Sequence, residues 1–277
     1  MQRGVTLIEL MIGIAIGLVV VAVATIALMA SRGVSGTVSD ASDIQQQASY
    51  AMRVIGQQLR QGGSLYLNLN SSGAATANIL TAPVAFETKV AGSAMQEFDP
   101  ATDTLSGTNN TLTVGYRRYQ DLVFTSTSPQ SLVRNCIGSE GAAADQRLES
   151  AFSVNGTELR CAGNGSAAQP VVENVANFQV RYALQDTTSV LGSPQIKYAA
   201  ASEVGTTDWP KVQGVEVCLV LFGTEPIDMP VGTSYTDCDG TTQVDMTTLT
   251  GARTKRMHLV FRNVFQVRSQ GLVGTVL

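Results

Sequence analysis

From Leu10 to Ala30 the chain carries no charged residue. As a helix rising 1.5 Å per residue, that run extends about 32 Å, enough to cross the hydrocarbon core of a bilayer. A segment this apolar needs lipid or other apolar helices around it, so it constrains the whole molecule. It is longer than the roughly 7–15-residue core of a cleaved secretory signal. No small-x-small cleavage pattern stands out after it, although Ser31 to Gly36 is rich in small residues. A carboxylate, Glu9, sits just inside the apolar stretch. An ionised carboxylate there costs a few kcal/mol, and it therefore implies a partner or a purpose.

The residues around it, Gly4-Val5-Thr6-Leu7-Ile8-Glu9-Leu10, resemble the class III signal of type IV prepilins. In that family a short basic leader ends in Gly, and a methylated residue and a Thr-Leu-Ile-Glu-Leu run follow. The resemblance implies that a prepilin peptidase cuts after Gly4, that Val5 becomes the N-methylated first residue, and that Glu9 serves assembly. The Glu9 carboxylate would meet the new amine of Val5, or that of a neighbouring subunit, each offsetting the other's desolvation. Two departures are minor: many members carry Phe where this chain has Val5, and the leader Met1–Gly4 has a single basic side chain.

Beyond the apolar run, Val34, Val38, Ala41, Ile44, Ala48, Met52, Ile55 and Leu59 recur every three or four residues. That spacing predicts a continuing amphipathic helix, stopped at Gly62-Gly63. Its stripe can dock on the chain's own domain, chiefly from Ile44 to Leu59, or pack on neighbouring helices. Gly33 and Gly36 weaken the helix by about 1 kcal/mol each relative to Ala, and predict a kink or local melting.

After Gly63 the pattern changes to short alternating segments between turn residues. Leu112, Val114 and Tyr116 alternate, and Leu122 to Phe124 follow closely. Ala151–Val154 and Glu158–Cys161 flank Asn155-Gly156, a hairpin signal. Phe178, Val180, Tyr182 and Leu184 form another alternating face, and Val215–Phe222 is apolar on both faces, as a central strand is. Met257, Leu259, Phe261, Phe265 and Val267 line one side of a long final strand. The expected fold is α+β: a long N-terminal hydrophobic and amphipathic helix packed on a mainly antiparallel β-sheet domain. The expected divisions are a leader over 1–4, a helix over 5–62 (membrane or filament-core part about 5–30, amphipathic part 31–62) and a β-rich domain over 63–277.

Cys136, Cys161, Cys218 and Cys238 form no Cys-x-x-Cys pair. Even in number and widely spaced, they read as two disulfides made in an oxidising compartment rather than buried thiols. Of three possible connectivities, Cys136–Cys161 with Cys218–Cys238 closes short segments between predicted strands. Charged residues are only 14% of the chain and the net charge is −4, with no basic block, so the bulk surface is a poor partner for nucleic acid. Arg117 and Arg118 beside Tyr116 and Tyr119 could meet a single strand, but they read first as a solvated strand face.

No catalytic constellation stands out, and neither a cofactor nor a resident metal is expected. The single histidine, His258, falls opposite the apolar stripe of its strand and reads as satisfied or solvated. Asp237-Cys238-Asp239-Gly240 offers two carboxylates but lacks the other spaced ligands of a calcium loop, and reads as a disulfide-pinned turn.

Val172-Glu173-Asn174-Val175 followed by Phe178-Gln179-Val180-Arg181-Tyr182 resembles a segment of PilW-type minor pilins. So does the order of a Cys-bearing strand, a hairpin returning to Leu159-Arg160-Cys161, the apolar strand and the basic, aromatic end. That resemblance implies a structural protein of the inner membrane with a periplasmic domain. It would later join other minor pilins and the major pilin on an assembly platform, priming polymerisation or sitting near the tip. Such pili serve adhesion, twitching motility or DNA uptake. Two alternatives remain open: a GspJ-like minor pseudopilin of a type II secretion system, and a membrane-anchored periplasmic binding module that never polymerises.

Overall fold

The computed structural model describes residues 6–64, 67–68, 85–86, 92–186 and 195–267. The helix α1 runs unbroken from Leu7 to Gln61. Gly33 and Gly36 therefore do not interrupt it. The apolar run on the N-terminal side and the docked stripe from Ile44 on the other hold enough helix to carry two glycines through. Within the apolar part, Thr25 Oγ1 donates to the Val21 carbonyl at 2.7 Å, so this hydroxyl is satisfied without water. At the far end Gly62 caps the helix and donates to Leu59 O. Gly63 then turns with φ +88°, a value that favours glycine.

The rest of the chain is β-rich. A two-residue ladder joins β1 (Leu67–Asn68) and β2 (Ala85–Phe86). A short helix α2 (Pro100–Asp103) precedes β3 (Leu105–Thr108), β4 (Thr111–Arg117), β5 (Gln120–Asp121), β6 (Gln130–Ser131), β7 (Arg147–Asn155), β8 (Glu158–Gly163) and β9 (Gln169–Val172). Then come β10 (Val175–Asp186), β11 (Gln195–Ala199), β12 (Val212–Pro226), β13 (Ser234–Thr236), β14 (Gln243–Asp245) and β15 (Arg256–Gln266). The order β3-β4-β7-β8-β9 makes one antiparallel sheet and β11-β10-β12-β15 a second.

One core lies between these sheets and the second half of α1. Ile44, Ala48, Ala51, Met52, Ile55 and Leu59 bury the helix face. Leu112, Val114, Phe152 and Leu159 come from the first sheet, and Phe178, Val180, Val215, Val217 and Leu219 from the second. The helical stripe thus docks from Ile44 onward, whereas Val38 stays exposed. The central strand β12 is buried on both faces. Its other face, with Cys218 and Val220, meets Tyr235, Cys238 and Met246 of a flap built on β13 and β14.

Two local expectations need correcting. The β7–β8 hairpin pairs Asn155 with Glu158, so its two-residue loop is Gly156-Thr157 rather than Asn155-Gly156. Gly156 takes φ +61° at the first loop position, where a primed turn of the II′ class places Gly. Leu122–Phe124 is no buried strand: it follows the two-residue β5 in an exposed loop, with Leu122 and Phe124 open to solvent. A short apolar run inside a long hairpin loop imitates a strand in sequence.

Candidate assembly site

Thr6 is the N-cap of α1, and its Oγ1 accepts from the Glu9 amide at 3.3 Å. Glu9 Oε2 reaches back to Thr6 N at 3.5 Å and to Thr6 Oγ1 at 3.4 Å. This is a capping box: a Thr and, three residues on, a Glu satisfy backbone donors of the first turn, and the anion faces the positive end of the helix dipole. Glu9 is therefore held at the head of the helix by its own local chemistry, exposed and available to a cation. Gly4 and Val5 lie outside the described residues. From Leu7 to Met29 the helix is long and apolar enough to cross a membrane, and none of it is buried against the rest of the chain. Such a surface requires lipid or the helices of other subunits.

The helix joins the domain through polar contacts that its sequence pattern conceals. Asp40 is buried; its Oδ1 accepts from Thr224 N at 2.7 Å and from Thr224 Oγ1 at 3.1 Å. Its Oδ2 lies where a Cβ on Gly223 would fall, at 1.7 Å, so Gly223 makes room for the carboxylate. Further along, the buried Gln58 Oε1 accepts from Ser150 Oγ at 2.9 Å and lies 3.0 Å from the Tyr116 hydroxyl. That hydroxyl is also 2.7 Å from Arg134 O, and burial raises its pKa. The apolar periodicity of the sequence marks neither Asp40 nor Gln58. The available signal was position: Asp40 precedes Ile44 by four residues, in line with the apolar stripe, where a carboxylate must find a partner.

The structure joins Cys136 to Cys161 and Cys218 to Cys238. The first ties the loop before β7 to β8, and the second pins the flap to β12. Beside the second, Glu216 on β12 pairs with Arg262 at 3.1 Å and Arg181 at 3.6 Å, and Arg262 donates to Cys238 O at 2.9 Å. In the turn that follows, Asp239 accepts from Thr242 Oγ1 and from the amides of Thr241 and Thr242. Those bonds lower its pKa to about 2. Asp237 Oδ1 accepts from Asn177 Nδ2 at 2.9 Å. Both carboxylates thus serve the turn, and no group of three or more metal-ligating side chains occurs among the described residues.

His258 is buried under the flap, not solvated. It stacks on Tyr235 with ring centres 5.2 Å apart. Its Nε2 accepts from Arg253 Nε at 3.0 Å and its Nδ1 lies 2.9 Å from Arg256 O. The neutral tautomer with the proton on Nδ1 fits both contacts. Burial, with Arg253 adding to it, pulls its pKa down to about 4. Nor do Tyr116, Arg117 and Arg118 form a solvated face. Tyr116 and Arg118 are buried, Arg118 Nη1 donates to Ala143 O, and Arg117 Nη1 donates to Gln146.

Two family models match this chain. One, described as Type IV Pilus-assembly protein W, covers residues 142–269, from just before β7 to just past β15. The other, the Prokaryotic N-terminal methylation motif, covers residues 1–25, which include the capped Glu9. Over these two segments the chain is similar to PilW-type type IV pilins. PilW-type proteins form a structural pilin family, not an enzyme family. No curated protein matches. Among solved structures, the Type IV-like pilin TTHA1219 from Thermus thermophilus is similar at 14% identity, over 82% of this chain and 98% of that one, with a TM-score of 0.38. The long helix packed on antiparallel sheets is established by the topology of the chain itself.

Proposed function

We propose that this PilW-type chain is a minor pilin that is processed at its leader, held in the inner membrane by α1 and then drawn into a type IV pilus. The observation that carries the reading is the pairing of an unburied, charge-free first half of α1, Leu10 to Met29, with a carboxylate fixed at its head. Cleavage after Gly4 creates a cation at Val5, four residues from Glu9, and N-methylation leaves that amine basic. In a filament the Glu9 anion meets this amine or a neighbour's while the apolar helices supply each other's surroundings. The β-rich domain, periplasmic before assembly, meets other minor pilins and the major pilin. A place in the initiating complex, near the tip, fits a chain whose domain is far larger than its helix. The match over residues 142–269 favours a pilus over a type II secretion pseudopilus.

Replacing Glu9 tests this. Glu9→Ala should leave the chain in the membrane and folded, yet remove it from sheared filaments, measured by immunoblot of filament and membrane fractions. A non-polymerising anchored module would be indifferent to the change. Recovery of the variant in filaments at the wild-type level would contradict the role given to Glu9.

A further inference from the structure

Three steps among the described residues join Asn or Asp to Gly, the sequence most open to attack by the following backbone nitrogen because glycine has no side chain to hinder it: Asn155-Gly156, Asn164-Gly165 and Asp239-Gly240. The fold treats them differently. Asn164 is locked: its Oδ1 accepts from Glu149 N at 2.8 Å, and its Nδ2 donates to Asp145 Oδ2 and Arg147 O, both at 3.0 Å. Asp239 is held as an anion by its turn, a poor electrophile, and the Gly240 amide is engaged with Asp237 O at 3.0 Å. Asn155 has no such restraint. It is exposed, no hydrogen bond holds its side chain among the described residues, and it forms the last pair of the β7–β8 ladder, where opening costs least.

We infer that Asn155 is a site of spontaneous deamidation, selected by the fold over Asn164 and Asp239. The Gly156 nitrogen, on losing its proton to solvent base, attacks Asn155 Cγ. The Cγ–Nδ2 bond breaks, ammonia leaves with a proton, and a succinimide ring closes. Water then opens the ring at either carbonyl, giving aspartate or isoaspartate at position 155 and one new negative charge. The isoaspartate form carries the main chain through Cγ and lengthens it by one carbon at the head of the loop. That change falls on a structural contact: Thr157 O accepts from Val175 N at 2.8 Å, and the neighbouring Asn174 O accepts from Phe222 N at 2.9 Å. Phe222 leads directly into Gly223 and Thr224, which hold Asp40. Ageing of this hairpin therefore acts at the junction where the helix leaves the domain.

The test is a time course on the full-length chain in detergent at mildly alkaline pH, read by peptide mass mapping, beside the same chain in denaturant. In the denatured chain both Asn-Gly steps should convert at similar rates. In the folded chain Asn155 should gain acid and isoaspartate several-fold faster than Asn164, and Asn155→Gln should remove the acidic isoform from the ion-exchange profile. The inference is overturned if folded Asn155 remains an amide over the period in which the denatured chain converts. It is equally overturned if Asn164 keeps pace with it.

Discussion

At Gly223 a side chain is excluded by the Asp40 carboxylate. A methyl there would sit 1.7 Å from Asp40 Oδ2, so Gly223→Ala forces the carboxylate away from Thr224 and strips a buried charge of its two donors. The expected loss is about 2–4 kcal/mol, measured by denaturant unfolding of the detergent-solubilised chain. His258 makes a prediction of the opposite kind, visible only against pH. Its folded pKa of about 4 lies below the ordinary value near 6.5. Above about pH 6.5 both folded and unfolded chains leave it neutral and it costs nothing. Between about 6.5 and 4 only the unfolded chain takes the proton, so stability falls as pH falls, by up to about 3 kcal/mol. The stability difference between wild type and His258→Gln should shift against the wild type across that window and stay flat above it. The sequence places His258 opposite the apolar stripe, but it cannot say that a flap pinned by Cys218–Cys238 covers that face. That cover is made by Tyr235 and the flap on β13 and β14, distant from His258 along the chain.

At the scale of elements, what is periodic is legible and what is held by tertiary contact is not. The docked helix face, the central position of β12 and the alternation of β4 and β10 all follow from spacing alone. The one-residue shift in the β7–β8 loop, the exposed Leu122–Phe124 and the unbroken passage of α1 through Gly33 and Gly36 depend on turn geometry and context. Gly56 shows how closely the helix lies on β15: a Cβ would come within 2.4 Å of Phe265 Cε1. Gly56→Val should destabilise the chain by about 1–3 kcal/mol through overpacking, despite replacing glycine within a helix. Phe265→Leu should recover part of that loss, so the pair measured together will fall short of the sum of the two singles. Full additivity in unfolding experiments would show that ring and helix do not meet.

For the whole molecule, two antiparallel sheets and half of a long helix share one core, while the other half of the helix remains without cover inside the chain. A polar latch at Asp40 stands at the boundary between the two halves. The uncovered half was the most legible part of the sequence, because a charge-free run with one carboxylate at its head admits few physical solutions. The partition of the remaining strands into two sheets was not legible, since alternation gives a strand its faces but not its neighbours. In the proposed function, removal of the leader after Gly4 creates the amine that pairs with Glu9. Intact mass and amino-terminal sequencing of the protein, from cells with and without the prepilin peptidase, test that directly. The predicted result is a chain beginning at N-methylated Val5 only where the peptidase is present. A chain still beginning at Met1 in both strains, or one cut near Ser31, would contradict it.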